Sequence, residues 1–145
     1  MACKDGKDTV KENPEEISTK ATVSQEIEAA IDLPGHMVEG EKVYTQHCLL
    51  CHQSNGAGVP GLNPPLNGTE YVVGDKSRLL EIVLYGSNVG LLVNGSVYSN
   101  AMPAFEMLGD EDIANVTSYI RNSFGNAADP ITADEVVAIR SKIKE

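Results

Sequence analysis

Cys48-Leu49-Leu50-Cys51-His52 is the stretch of sequence that decides the fold. On a helical turn, this spacing puts both thiols on one side of the backbone, and an imidazole follows directly. Such a pair of thiols serves in three kinds of site: a redox-active dithiol, half of a zinc site, and the attachment point of haem c. The rest of the sequence decides which of the three applies.

The dithiol and zinc interpretations find little support elsewhere in the chain. A thioredoxin-like dithiol needs a βαβ context, whereas the periodicity here indicates helices. A structural zinc site would need a second cysteine pair, and Cys3 is the only other cysteine. In haem attachment, Cys48 and Cys51 bond to two vinyl groups at one edge of a porphyrin, and His52 binds the iron. We therefore predict one covalent haem c at these three residues.

A haem that only transfers electrons needs a second axial ligand, usually histidine or methionine. Met102 is the strongest candidate, because Pro103 follows it and stiffens the backbone that presents the sulfur. Met37 precedes the haem-binding helix, and Met107 lies on the way into a later helix, so both are less well placed. We predict His52 and Met102 as the two metal ligands.

Two further histidines are interpreted as bystanders. His36 lies on an apparent linker, where a solvated side chain is expected. His47 directly precedes the motif, but its side chain points away from the iron if the helix continues through it.

Periodicity and capping signals predict a mainly helical chain with one small hairpin. Asp75 and Gly86 are cap residues for a buried helix, and Thr132 with Glu135 forms a capping box for a last one. Asn94-Gly95 favours a tight turn between Leu92-Val93 and Val97-Tyr98. Helices are predicted at 24–33, 39–50, 76–85, about 110–124, and after 132, and the Gly- and Pro-rich segment 53–69 is predicted to be a loop.

Composition divides the chain into three parts. Residues 1–35 are polar and are predicted to be a tether or wrapping arm, residues 36–125 form the haem domain, and residues 126–145 add a C-terminal helix. The formal net charge of −10 leaves too few Lys and Arg residues for a nucleic-acid surface. No apolar run approaches the roughly 20 residues that span a bilayer.

These motifs resemble those of bacterial class I cytochromes c. The resemblance covers residues 40–124 and rests on Gly40-x-x-Val43-Tyr44, Cys48-x-x-Cys51-His52, Gly56-x-Gly58-x-Pro60-x-x-x-Pro64-Pro65-Leu66 and Met102-Pro103-x-Phe105. It implies an all-α class I cytochrome c fold around one covalent haem, here with an N-terminal arm and an extra C-terminal helix.

The resemblance also implies roles for individual residues around the haem. The carbonyl of Pro64 would accept a hydrogen bond from His52 and fix its ring. Gly40 and Tyr44 would cross the last family helix at Tyr119. The chain lacks the tryptophan that mitochondrial members place near a haem propionate, so Tyr98 is predicted to bind there, with inert packing as the alternative.

The implied function is one-electron transfer without enzymatic activity. The leading hypothesis is a monomeric respiratory carrier between a quinol-oxidising complex and a terminal haem–copper oxygen reductase, and the alternative is the cytochrome partner of a periplasmic dehydrogenase. A haem peroxidase or a gas sensor would need an open iron position, which Met102 is expected to fill.

The N-terminus indicates where the carrier is located in the cell. Haem attachment implies export, and Ala2-Cys3 resembles the end of a bacterial lipoprotein signal, so we expect Cys3 to carry a lipid anchor on the periplasmic side of the membrane; a chance cysteine is the alternative.

Residues 43–69 and 82–105 contain no Asp, Glu, Lys or Arg. We therefore expect an uncharged docking face, unless the acids at 110–112 fold close to the haem edge.

Overall fold

The computed structural model describes residues 34–88 and 91–143, which belong to one compact unit beginning at Pro34. The predicted arm, its helix at 24–33 and Cys3 lie outside the described residues. The elements in chain order are α1 (Gly35–His47), α2 (Leu49–His52), α3 (Glu70–Val73), α4 (Lys76–Tyr85), β1 (Leu92–Val93), β2 (Ser96–Val97), α5 (Asp110–Arg121) and α6 (Ala133–Ile143). No helix within these ranges is long and apolar enough to cross a bilayer.

Helix α1 begins four residues earlier than the periodicity predicts. Pro34 is its N-cap, and the Pro34 carbonyl accepts the N–H of Met37 at 2.8 Å. Pro34-Gly35 therefore starts this helix, as proline does well at a helix N-terminus. His36 lies within α1 and is half-buried, so its assignment to a linker is wrong.

The predicted helix 39–50 is divided at Cys48. The backbone of Cys48 has φ −114° and ψ −33°, and it separates α1 from the single turn of α2. The two parts stay connected, because the Cys48 N–H still donates to the Tyr44 carbonyl at 2.8 Å. The break therefore places Cys51 and His52 in a helical turn that is separate from α1.

Helices α1 and α5 cross at Gly40, as the family resemblance implies. A Cβ atom at Gly40 would lie 2.6 Å from the Cβ of Tyr119 and would also overlap the carbonyl of Asn115. The two backbones approach so closely that only glycine fits. Tyr44, one turn further along α1, is buried with its ring 5.5 Å from that of Tyr119.

The core consists of two apolar clusters that share α5. One cluster joins α4, α5 and the C-terminal segment, and the other joins α1, α3 and α5. Their buried members are Leu79, Leu80, Val83, Leu84, Ile113, Ala114, Ile131, Val136 and Ile139 in the first, and Val43, Tyr44, Leu66, Val72, Val116 and Ile120 in the second. The C-terminal helix therefore contributes to the core.

The capping predictions for α4 and α6 are confirmed. The Asp75 carboxylate accepts the N–H of Arg78 at 2.9 Å, and Gly86 ends α4 with φ +78°. The Glu135 carboxylate accepts the N–H of Thr132 at 2.8 Å, and the Thr132 hydroxyl accepts the N–H of Glu135 at 3.3 Å. This reciprocal pair is a capping box.

The hairpin forms with its second strand one residue earlier than predicted. Leu92 pairs with Val97 and Val93 with Ser96 around the two-residue turn Asn94-Gly95. Both turn residues have positive φ, 49° and 78°, which a type I′ turn requires.

Candidate functional site

One cavity brings the predicted site residues together. Its empty space, mouth included, is about 1090 Å³. All six predicted residues line it: Cys48, Cys51, His52, Pro64, Tyr98 and Met102. The other lining side chains are mostly apolar, and none of those that the structure describes is Asp, Glu, Lys or Arg.

His52 is held in one orientation by two parts of the chain. Its N–H donates to the Cys48 carbonyl at 2.9 Å within α2, and its side chain is only 8% exposed. Its ring Nδ1 lies 2.9 Å from the Pro64 carbonyl, which can only accept, so Nδ1 carries the proton. The lone pair of Nε2 is then free for a metal. Burial lowers the pKa of His52, and the bond to Pro64 opposes that shift.

The loop that brings Pro64 to His52 depends on Gly58. The Gly58 N–H donates to the His52 carbonyl at 3.0 Å, and a Cβ atom at Gly58 would lie 2.5 Å from the Pro64 oxygen. Val59 and Asn63 close the loop with two backbone hydrogen bonds of 2.9 Å each. The backbone of 58–64 therefore fixes the acceptor for the imidazole.

Cys48 and Cys51 are half-buried free thiols that line the same cavity as His52. Burial, with a smaller effect of Cys51, raises the pKa of Cys48 to about 11. Both cysteines face the cavity without being bonded to each other, so both sulfurs are available for bonds to a group within it.

Met102 reaches the cavity from a separate segment that is anchored to the end of α4. Met102 and Ser87 exchange two backbone hydrogen bonds of 3.1 Å. Three residues later, the Phe105 N–H donates to the Val83 carbonyl at 3.0 Å. A Cβ atom at Gly86 would lie 2.5 Å from the Met102 carbonyl oxygen, so this approach also needs glycine.

The other methionines and histidines that the sequence offers are placed differently. Within the described chain, Met37, Met107 and His36 are not among the lining residues, and Met107 is 72% exposed. His47 does line the cavity, and its ring lies edge-on to Phe105 at 5.8 Å. The helix ends at His47, so the continuous helix that would have turned this side chain away from the site does not exist.

Polar lining residues that sequence reasoning missed lie near Tyr98. The Asn100 side chain donates to the Asn63 side chain at 3.0 Å, and the Asn100 N–H donates to the Leu62 carbonyl at 3.1 Å. Tyr71 also lines the cavity, and the Arg78 guanidinium covers its ring at 4.0 Å. These pairs are 7 to 38 residues apart in the chain, and no motif signals them.

The residues present fit a haem c. Two sulfurs and an imidazole from one turn line the same cavity as a thioether from another segment, and His and Met are established axial ligands for haem iron. The mostly apolar walls suit the macrocycle. When bound, the group supplies the reversible one-electron chemistry of its iron.

Comparisons with known proteins show which family the chain is similar to. The sequence profile of the family Cytochrome c matches residues 37–124. Cytochrome c-552 of Thermus thermophilus is 38% identical over an alignment of 113 residues, and the match covers 72% of this chain and 86% of the relative. Cytochrome c6 of Diacronema lutheri is 32% identical over an alignment of 95 residues, and the match covers 63% of this chain and 100% of the relative.

A second group of relatives consists of much larger dehydrogenase subunits. The cytochrome c subunit of the quinone alcohol dehydrogenase from Gluconobacter oxydans is 31% identical over 118 residues. The match covers 78% of this chain but only 24% of that subunit. From the family match, the extent of the c-552 match and the single cysteine motif, the chain belongs to the cytochrome c family as a class I monohaem member, an electron carrier with covalently bound haem c.

Proposed function

We propose that the chain is a respiratory carrier that takes single electrons from a quinol-oxidising complex and delivers them to a terminal haem–copper oxygen reductase. In this proposal Cys48 and Cys51 attach the haem, and His52 and Met102 bind the iron. The observation that carries the ligand assignment is that His52 and Met102 line one apolar cavity from two separately anchored segments.

Each site residue has a distinct role in this proposal. The Pro64 carbonyl keeps the His52 ring in the tautomer whose Nε2 can bind a metal, and the hydrogen bond raises the basicity of that nitrogen. Ser87 and Gly86 hold the backbone of Met102 against the end of α4. Tyr98 is the proposed partner of a haem propionate, close in the chain to the Asn100–Asn63 hydrogen bond.

A filled second axial position favours electron transfer over the peroxidase and gas-sensor alternatives, both of which need an open one. We therefore expect the protein to have a low-spin haem c spectrum with the weak near-infrared band of a methionine–iron bond, unchanged by carbon monoxide after reduction.

Met102→Ala should lose the band and bind carbon monoxide. Met107→Ala, at an exposed position outside the cavity lining, is the matched control and should behave as wild type. Ready binding of carbon monoxide by the wild type would contradict the assignment.

The proposed location is the periplasmic side of the membrane, with a lipid anchor at Cys3. This residue lies outside the described part of the chain, and the proposal rests on the Ala2-Cys3 sequence. Protein purified from its native membranes should have an intact mass that includes a lipid at Cys3. An unmodified Cys3 in that preparation would remove the anchor from the proposal.

The partner of a periplasmic dehydrogenase is the second candidate function, and the similarity to dehydrogenase cytochrome c subunits supports it. The two candidates differ in what oxidises and reduces the carrier. Native membranes should oxidise the reduced protein rapidly in air, and an inhibitor of the oxygen reductase should stop this. Reduction by a purified dehydrogenase and its substrate, combined with slow oxidation by the membranes, would favour the second candidate.

A further inference from the structure

Arg140 of the C-terminal helix contacts the segment that follows Met102. Its guanidinium donates three hydrogen bonds: Nε to the Asp110 carboxylate at 2.7 Å, Nη1 to the Glu106 carbonyl at 2.8 Å, and Nη2 to the Leu108 carbonyl at 2.5 Å. The side chain is only 22% exposed. One rigid, planar group therefore fixes two carbonyls and the first residue of α5 at the same time.

The contacts of Arg140 complete a series that begins at Met102. Ser87 holds Met102 itself, and Val83 holds Phe105, both through backbone hydrogen bonds. Between Phe105 and α5 the segment has its own turn, in which the Leu108 N–H donates to the Phe105 carbonyl at 3.1 Å. Arg140 adds side-chain hydrogen bonds that fasten this turn to α6.

Apolar packing also holds the same segment, against a core cluster that α4, α5 and α6 share. Met102, Phe105 and Leu108 are half-buried and pack against the first core cluster, to which α6 contributes Val136 and Ile139. Apolar contacts are not directional and tolerate small displacements. A charge-assisted fork of hydrogen bonds is directional, so Arg140 is the contact that can set the position of the segment.

We propose that Arg140 is a positioning residue that keeps the 102–109 segment closed, and with it the Met102 sulfur in place. The inference rests on the proposed function, in which Met102 binds the iron. If the segment alternates between closed and open positions, an added ligand binds only the open one, and its apparent affinity is reduced by the small open fraction. Loosening the segment then raises that apparent affinity, because the open fraction increases.

The test is a titration of the oxidised holoprotein with imidazole, followed by loss of the near-infrared methionine–iron band. Arg140→Ala should bind imidazole about tenfold more tightly than wild type, because the open fraction rises by that factor. Arg140→Lys keeps the charge but not the fork, and should lie between the two. Lys76→Ala is the matched control, because it removes another ion pair of α6, Lys76–Glu135 at 2.9 Å, without touching the segment.

Three results would overturn the inference. Equal affinity in wild type and Arg140→Ala would show that the fork does not hold the segment. Equal gains in Arg140→Ala and Lys76→Ala would show that α6 acts only through general stability. If Met102→Ala binds imidazole no more tightly than wild type, Met102 is not the displaced ligand, and the proposed function fails together with the inference.

Discussion

Among the glycines that the structure describes, Gly40 has the least room for a side chain, because α1 crosses α5 there. We expect Gly40→Ala to lower the free energy of unfolding by about 2–3 kcal/mol, since the added methyl group would meet backbone and Cβ atoms, which cannot turn away as a flexible side chain can. Denaturant unfolding of the oxidised holoprotein, followed by circular dichroism, measures this change.

Gly35→Ala is the matched control, because Gly35 lies in the same helix and a Cβ atom there would meet nothing within 4 Å. Alanine has the higher helix propensity, so this variant should be as stable as wild type or slightly more so. Equal losses in the two variants would mean that glycine matters in α1 for a reason other than the crossing.

Individual site residues differ in how far the sequence could predict them. The motif at Cys48–His52 is local, so its spacing was enough to bring thiols and imidazole together. Pro103 favours Met102 over Met37 and Met107 as the ligand, and of these three methionines Met102 lines the cavity. Its anchors Ser87 and Gly86 were missed, since they act through backbone contacts that leave no pattern of residue types.

Among whole elements, those with local signals were predicted best. The caps of α4 and the capping box of α6 depend on residues three positions apart, and the Asn-Gly turn depends on two adjacent residues. Such contacts form within one segment, so the sequence alone specifies them. The short helix α3 has no comparable signal and was not predicted.

The end of α5 illustrates the opposite case. Gly125 suggested a helix extending to Phe124, whereas α5 ends at Arg121 and Phe124 has a positive φ of 58°. The Asn126 side chain donates to the Ile120 carbonyl at 2.9 Å and to the Leu66 carbonyl at 3.0 Å. A carbonyl at the helix end is therefore satisfied by a side chain that also fastens a distant loop, and no local signal carries this information.

Arg121, the last residue of α5, connects the end of this helix to two distant segments of the chain. It is only 4% exposed, and its guanidinium donates to the carbonyls of Val72, Gly74 and Asp129 at 2.6, 3.0 and 2.7 Å. A buried charge is tolerated when its donors are satisfied in this way. Sequence patterns class an arginine as a surface residue, so long-range polar contacts of this kind could not be predicted.

In the described part of the molecule, charged side chains lie outside the lining of the cavity. The chain has a formal net charge of −10, yet no Asp, Glu, Lys or Arg lines the cavity within the described residues. Exposed apolar side chains are instead direct chain neighbours of lining residues: Leu49, Leu50, Leu62, Leu92 and Val97. Asp110, one of the acids that could have faced the haem edge, pairs with Arg140 at 2.7 Å.

This separation predicts how the protein meets its redox partner. Contact through an uncharged patch gains little from electrostatic steering, so the second-order rate of electron transfer to native membranes should change little with ionic strength. Apolar contact should affect this rate more than ionic strength does. Leu50, which lies between the two cysteines and is 85% exposed, is a side chain available for such contact. Leu50→Ala should lower the rate about threefold at every salt concentration, as expected when apolar contact is lost at an interface.

Val137→Ala is the matched control for Leu50→Ala, because Val137 is an exposed apolar residue on α6 and is not adjacent in the chain to a lining residue. It should leave the rate unchanged, since truncation outside the contact removes nothing from the encounter. A steep fall of the wild-type rate with added salt would instead mean that charges steer the encounter. Charged residues remote in the chain would then frame the docking face, and the Leu50 substitution would have its effect for another reason.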